Sequence, residues 1–354
     1  MKRFVRLVIA ALGVSLIGAG PHTGVNVALL ASDQPAPTLQ AYRLFADPQG
    51  LKPNVGLTPY ALNTPLFTDY AEKRRYVFLP SGAHAGYRAE GVLDLPVGAV
   101  LVKTFAFPAD LRAPDKDVRT VETRLLIHRK DGWAALTYVW NASGTEAVLK
   151  RAGGQIPVSF IDRQGVRRDI TYGVPNVNQC KECHSVNAVL SPIGPKARNL
   201  NGDLSYDGVR ENQLAHLTRV GLLTGAPAPD KAPRTAVWND ASEPLDARAR
   251  TYLDANCGHC HSRAGFASNS GLFLNLEETD LSAVGVGKRP VATGRASGGF
   301  EFSIAPGDPD HSIIVHRMAS TEPGVMMPQL GRSIVHDEGL ALVREYIKKM
   351  KPQS

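Results

Sequence analysis

Two short cysteine motifs constrain this chain more than any other feature. They read Cys180-Lys181-Glu182-Cys183-His184 and Cys257-Gly258-His259-Cys260-His261, and together they use all four cysteines of the 354-residue sequence. Both match C-x-x-C-H, the pattern of covalent haem attachment. Two thiols three positions apart reach the two vinyl groups of one porphyrin, and the next histidine is placed to ligate the iron. The motifs predict two haem c groups, with thioethers at Cys180, Cys183, Cys257 and Cys260 and proximal iron ligands His184 and His261.

A structural zinc site and disulfide bonds are the other uses of paired cysteines. The 73 residues between Cys183 and Cys257 exceed the short spacers of zinc ribbons. Zinc also does not require a histidine directly after each pair. The sequence therefore favours haem over both alternatives.

The first 20 residues have the pattern of an export signal. Lys2, Arg3 and Arg6 precede the apolar run 7–18, and small residues suited to cleavage follow. The run is shorter than the roughly 20 apolar residues that span a bilayer. Residues 25–31 are apolar again, so a retained membrane anchor is the alternative, and the cleavage site stays open. We expect a periplasmic protein that contacts a membrane only if this segment is retained.

The charge balance argues against nucleic acid as a partner. The formal net charge is +7 and falls to +4 once the signal's three cations are removed. Two haems would add four propionates and bring the holoprotein near neutrality, and no basic run with interleaved aromatic residues occurs. The 33 glycines and 25 prolines indicate a protein rich in loops.

Residues 36–172 alternate with a period of two, which predicts strands. The clearest are at 100–107, 121–127 and 133–140, and Asp131-Gly132 between the last two is a hairpin signal. Weaker strands are expected at 75–79, 155–161 and 167–172. We expect an antiparallel β-sandwich-like domain here, without a recognisable catalytic grouping.

Residues 173–234 would hold the first haem. A helix is predicted over 213–223, and His216 on it is a candidate distal iron ligand. Met318 from the C-terminal part, or an open iron, are alternatives, and His216 on an ordinary polar face is another.

Residues 242–352 would form the second haem domain. Apolar spacing predicts a helix running into Cys257 and a closing helix from Asp337 to Met350. The loop Met326-Met327-Pro328 lies between them. This arrangement, with Tyr346-Ile347 in the last helix, resembles class I cytochrome c. The resemblance implies His261 as the proximal ligand and Met327 as the distal one, with Met326 as the alternative.

The whole chain is similar to a family of exported bacterial di-haem c-type cytochromes with an N-terminal β domain. The stretches that carry the resemblance are Asn63-Thr64-Pro65-Leu66-Phe67, Tyr138-Val139-Trp140-Asn141, Ile193-Gly194-Pro195-Lys196, Pro306-Gly307-Asp308-Pro309 and Met327-Pro328. The resemblance supplies no substrate. The first haem segment departs from class I because no Met-Pro pair follows it within reach.

The expected fold is therefore multidomain: an antiparallel β-sandwich-like domain followed by two mostly α-helical haem modules, the second like class I cytochrome c. The expected function is one-electron transfer, with a periplasmic dehydrogenase or oxidase as redox partner and Arg317 as a candidate partner for a haem propionate. The alternative is a di-haem peroxidase-like oxidoreductase, which needs one open iron with an acid or base above it. The motif content favours electron transfer over an enzyme.

Overall fold

The computed structural model describes residues 24–351; the expected export signal lies outside them. The strands are β1 Leu57–Pro59, β2 Glu72–Phe78, β3 Ala85–Gly86, β4 Val100–Pro108, β5 Val118–Arg129, β6 Gly132–Trp140, β7 Ala147–Leu149, β8 Gly154–Ile161, β9 Arg167–Val174, β10 Ser185–Val186, β11 Val189–Leu190, β12 Asp203–Tyr206, β13 Val209–Asn212 and β14 Leu223–Thr224. The helices are α1 Val27–Leu30, α2 Val177–Cys183, α3 Ala197–Leu200, α4 Gln213–Arg219, α5 Leu245–Leu253, α6 Leu281–Val284, α7 Ile313–Ala319 and α8 Asp337–Lys349.

One antiparallel sheet of six strands, in the order β1-β2-β4-β5-β6-β7, organises the N-terminal half. Its strands are rich in β-branched and aromatic residues, which favour this conformation. Arg129 pairs with Gly132, so Lys130 and Asp131 form a two-residue turn between β5 and β6. The hairpin β8–β9 forms a separate two-stranded sheet.

The two faces of the large sheet are covered by different parts of the chain. One face packs against the N-terminal segment, where Leu39, Tyr42 and Leu44 are buried against Tyr138 and other sheet residues. The opposite face contributes Val77 and Leu101 to a core shared with residues of α3 and α4. A third core holds residues of α5, α7 and α8.

The expected fold class is wrong. Helices account for 23% and strands for 26% of the structure, and no pair of mostly helical haem modules follows the sheet in the described residues. The longest helix of the described chain, α8, has 13 residues, and α2, α3 and α4 have 7, 4 and 7. A second large sheet, as a sandwich requires, is also absent from residues 24–351.

Glycines explain why the helical segments before α8 are short. Between α5 and α8, Gly271, Gly285 and Gly298 each follow a short helical segment and have a positive φ angle. A helix ends at such a residue, and glycine adopts this conformation far more readily than other residues. Apolar residues recur at helical spacing only over single turns there, so loops carry most of residues 259–312. Within the described residues, no helix has the length and apolar character needed to span a membrane.

Candidate functional site

Helix α2 presents the first motif. Asn176 caps it: its side chain accepts from the Gln179 backbone N–H, and the Gln179 side chain accepts from the Asn176 backbone N–H. This reciprocal pair satisfies two backbone donors at the helix start. Cys180 and Cys183 are three positions apart on the helix and share a face, and His184 is the C-terminal cap. The local sequence thus fixes both thiols on one side of a short helix.

The second motif begins where α5 widens into a π-helix, Asp254–Gly258. Such segments are rare and frequently occur at functional sites. The buried side chain of Asn256 accepts a hydrogen bond of 2.7 Å from the backbone N–H of Phe67, which ties the widened turn to the N-terminal half. A Cβ atom at Gly258 would lie 2.9 Å from the Cα atom of Asn275, so this position in the motif requires glycine.

Both motifs line one cavity of about 700 Å³. This volume lies within the roughly 300–1,000 Å³ typical of small-molecule and cofactor sites. Its walls come from the face of β2, β4 and β5, from α2 and the π-helix, and from the loops around residues 266–274 and 327–332. The motif residues that line it are Cys180, Glu182, Cys183, His184, Cys257, His259, Cys260 and His261.

The two motifs meet at Cys183, His259 and Cys260, whose possible ligand atoms all lie within 4.8 Å of one another. The interaction between the two nearby sulfur atoms lowers the pKa of Cys183 and raises the pKa of Cys260, and the Cys260 thiol donates to the Glu182 carbonyl oxygen at 3.8 Å. The Nδ1 atom of His259 is buried and has no hydrogen-bond partner among the described residues.

The two histidines that directly follow the cysteine pairs, His184 and His261, are neutral near pH 7. Burial lowers the pKa of His184 to about 3 and that of His261 to about 4. The His261 Nδ1 atom lies 3.2 Å from the Ser270 hydroxyl, a contact that orients the ring and leaves Nε2 available for a metal. The Nδ1 atom of His184 is buried and without a hydrogen-bond partner in the described part of the chain. Neutral imidazoles are the form that ligates iron.

The structure brings Met327 into the same cavity as His261. The Met327 backbone N–H donates to the Arg317 carbonyl oxygen at 2.9 Å, and the Met327 carbonyl accepts from Arg332 at 2.9 Å. Met318 also lines the cavity, whereas Met326 is absent from the described residues that do. The sequence alone did not separate the two adjacent methionines, and their positions favour Met327.

His216 lies elsewhere. Its ring stacks on Tyr206 with ring centroids 3.4 Å apart, and its Nδ1 atom is 2.7 Å from a Glu211 carboxylate oxygen. It is not among the described residues that line the cavity. The structure therefore does not bring His216 together with His184, so His216 is not placed to serve as the predicted distal ligand.

Sequence reasoning missed several cavity residues. His336 lines the cavity, stacks on Phe67 at 4.1 Å between ring centroids and has its Nδ1 atom 2.9 Å from the Tyr252 hydroxyl. Three cations of the sheet, Arg75, Lys103 and Arg124, also line it. Lys103 was detectable, because the strand alternation places it on the same face as Leu101 and Phe105, where a lone cation among apolar residues is unusual.

The donor set fits covalent haem. The four thiols of the two motifs, the neutral imidazoles of His184 and His261 and the thioether of Met327 line a cavity whose remaining surface is mainly apolar, and the buried His184 Nδ1 lacks a partner in the described residues. No protein-family model, curated protein or solved structure matches this chain significantly, so the resemblance to known cytochromes stays a prediction.

Proposed function

We propose that this protein is an exported di-haem c-type cytochrome that transfers electrons one at a time. The observation that supports it most is that two C-x-x-C-H motifs, 77 positions apart in the chain, line one cavity together with Met327. Haem iron alternates between ferric and ferrous states, so each bound haem would carry one electron.

The chain's own residues have distinct roles in this proposal. The four cysteines would hold the two porphyrins, His184 and His261 would ligate the irons, and Met327 would supply a thioether ligand to the second haem. Thioether ligation raises the potential relative to a second histidine. Apolar walls such as Leu101, Leu126 and Leu274 exclude water, which also affects the potential.

The contact between the motifs supports exchange of electrons between the haems. Cys183 and Cys260 belong to different motifs, and their sulfur atoms lie within 4.8 Å of each other. The two attachment sites therefore meet directly, without a layer of backbone between them. A protein that binds its two haems this way suits transfer through both better than two independent reactions.

A redox partner would approach at the cavity rim. Phe266 and Val291 line the cavity and are 56% and 66% exposed, so its edge reaches the protein surface. An exposed apolar rim suits transient contact with a periplasmic dehydrogenase or oxidase, the partners that we propose.

A structural zinc site is the second candidate, because Cys183, His259 and Cys260 are close enough to share one metal ion. Zinc sites of this kind use four ligands in tetrahedral arrangement. The cluster supplies three, and it leaves Cys180, Cys257, His184 and His261 without a role. Attachment and ligation of two haems would use all four of these residues.

The deciding experiment is a haem and metal analysis of the purified, exported protein, followed by ferric and ferrous spectra with carbon monoxide and peroxide. We expect two haems per chain, no zinc, and low-spin spectra that neither ligand changes. The variant Cys257→Ala with Cys260→Ala should retain one haem. Zinc without haem would overturn the proposal, and a high-spin haem that reacts rapidly with peroxide would favour the peroxidase-like alternative.

A further inference from the structure

Three cations lie side by side on the sheet wall of the cavity. Arg75 on β2 pairs with Lys103 on β4, and Lys103 pairs with Arg124 on β5. All three line the cavity. Like charges directly opposite on neighbouring strands destabilise a sheet, so this row needs compensating negative charge.

Only Arg124 finds a carboxylate within the described residues. Its guanidinium forms two hydrogen bonds with Glu122, at 2.5 and 2.8 Å, and the Tyr172 hydroxyl donates to the same carboxylate. Glu122 is fully buried, and within the described residues neither Arg75 nor Lys103 forms a hydrogen bond or ion pair with it.

Arg75 and Lys103 have no such partner. Arg75 is 8% exposed, and its described hydrogen bond goes to the backbone carbonyl of Lys73 at 3.2 Å. The Lys103 ammonium lies 5.1 Å from the centre of the Phe105 ring, and no described residue accepts a hydrogen bond from it. Two cations therefore point at the cavity uncompensated, a costly arrangement for buried charge.

The row lies beside the first motif. Arg124 interacts electrostatically with Cys180, and Lys103 with Cys183 and His184. Burial, together with the neighbouring Arg75 and Arg124, lowers the pKa of Lys103 to about 7, and a bound anion would offset that cost.

We propose that the row Arg75, Lys103 and Arg124 binds the propionate carboxylates of the haem attached at Cys180 and Cys183. This rests on the proposed function. One haem carries two propionates, and the row presents two cations without a carboxylate partner, so the charges match. The large sheet thus holds the acidic edge of the first haem, and its positive charge raises that haem's potential.

The test is redox titration of the intact holoprotein and of Lys103→Gln, Arg75→Gln and Lys103→Arg. In each glutamine variant the haem without a methionine-to-iron band should become about tenfold harder to reduce, a fall of 59 mV for one electron. Lys103→Arg keeps the positive charge, so this haem should keep its wild-type potential. Arg74→Gln is the matched control, because Arg74 is the neighbour of Arg75 on β2 and donates instead to the Leu51 carbonyl.

Added succinate separates the two sources of carboxylate. If propionates occupy the row, succinate leaves the wild-type spectrum and potential unchanged, as we expect. A saturable effect of succinate in wild type that is lost in Lys103→Gln would overturn the proposal in favour of a free carboxylate ligand. Two haems with unchanged potentials in both glutamine variants would also overturn it while leaving the proposed function intact. A wild-type protein without haem would remove the proposed function itself.

Discussion

Met326 and Met327 are adjacent in sequence, yet of the two only Met327 lines the cavity. A haem's axial ligands move its potential across roughly 0.8 V. We therefore expect Met327→Ala to lower the potential of the second haem by about 0.1 V or more and to remove its methionine-to-iron absorption band. Redox titration and near-infrared spectra of the ferric protein measure both effects.

Met326→Ala is the control for this prediction, because it changes the neighbouring residue of the same loop. It should leave the band and the potential unchanged. If the band disappears in Met326→Ala and persists in Met327→Ala, the ligand assignment is reversed.

Asn256 offers a second prediction on a single side chain. It is 3% exposed, accepts from the Phe67 N–H at 2.7 Å and donates to the Tyr252 carbonyl at 2.9 Å. Asn256→Ala leaves the Phe67 N–H without its acceptor, which costs about 1–3 kcal/mol. Urea denaturation should show that loss, whereas the exposed Asn178→Ala should change the free energy of unfolding by less than about 0.5 kcal/mol. Equal stability of the two variants would contradict the role of Asn256.

Among the elements, a buried ion pair connects α3 to the π-helix. The guanidinium of Arg198 on α3 lies 3.1 Å from Asp254 and 2.5 Å from Glu277, and the Arg198 side chain is 9% exposed. Breaking a buried ion pair strands the remaining charge and costs about 3 kcal/mol. We expect Arg198→Met to lower the free energy of unfolding, measured by urea denaturation, by about that amount. Arg295→Met is the control, because its pair with Glu322 is exposed on both sides and should contribute about 0–1 kcal/mol.

The same contact predicts how stability depends on pH. Burial raises the pKa of Glu277, but the hydrogen bonds from Arg198, a backbone N–H and Asn275, with the positive charge of Arg198, together outweigh it and lower that pKa to about 2, from an ordinary value of 4.5. A carboxyl with a lowered pKa stabilises the fold above its ordinary pKa and loses that contribution as pH falls through the folded value. The free energy of unfolding should therefore fall between about pH 4.5 and 2, and less steeply in Arg198→Met. Parallel pH profiles would contradict this assignment.

Local elements were the predictable part of this fold. Alternation predicted strands at 100–107 and 133–140, and the structure has Val100–Pro108 and Gly132–Trp140. Helical spacing predicted 337–350, and α8 spans Asp337–Lys349. The expectation of two mostly helical haem modules was wrong. It gave the resemblance to class I cytochrome c more weight than the glycines and prolines, which shorten most helices.

Only the part of the candidate site that lies within short sequence motifs could be predicted from the sequence. Spacing identified the four cysteines and two histidines. It could not show that Cys183 and Cys260 meet, since their approach depends on how α2 and the π-helix pack against the sheet. Nor could it show that Arg75, Lys103 and Arg124 align, because cross-strand register is set by pairing between separate strands.

At the scale of the whole molecule, the cavity joins parts of the chain that are far apart in sequence. Protein interiors are close-packed, and cavities cost on the order of 24 cal/mol per Å³. For about 700 Å³ this amounts to roughly 17 kcal/mol if the space were dry and unfilled, more than the 5–15 kcal/mol by which folded proteins are typically stable. The cavity reaches the surface at Phe266 and Val291, so water enters it when no cofactor is bound, and the stability of its apolar walls depends on whether a cofactor covers them.

This dependence gives the last prediction. In a variant with all four cysteines replaced by alanine, the walls that we propose to hold the haems should open, and amide hydrogen exchange should accelerate at least tenfold in α2 and α5. The hairpin β8–β9 packs in a separate core with Phe105 and Phe107, so its protection should change little. Hydrogen exchange followed by mass spectrometry resolves these segments within one sample, which makes the hairpin an internal control. Unchanged protection in α2 and α5 would mean that the cavity walls stand without a cofactor, whereas loss everywhere would mean that haem supports the entire fold.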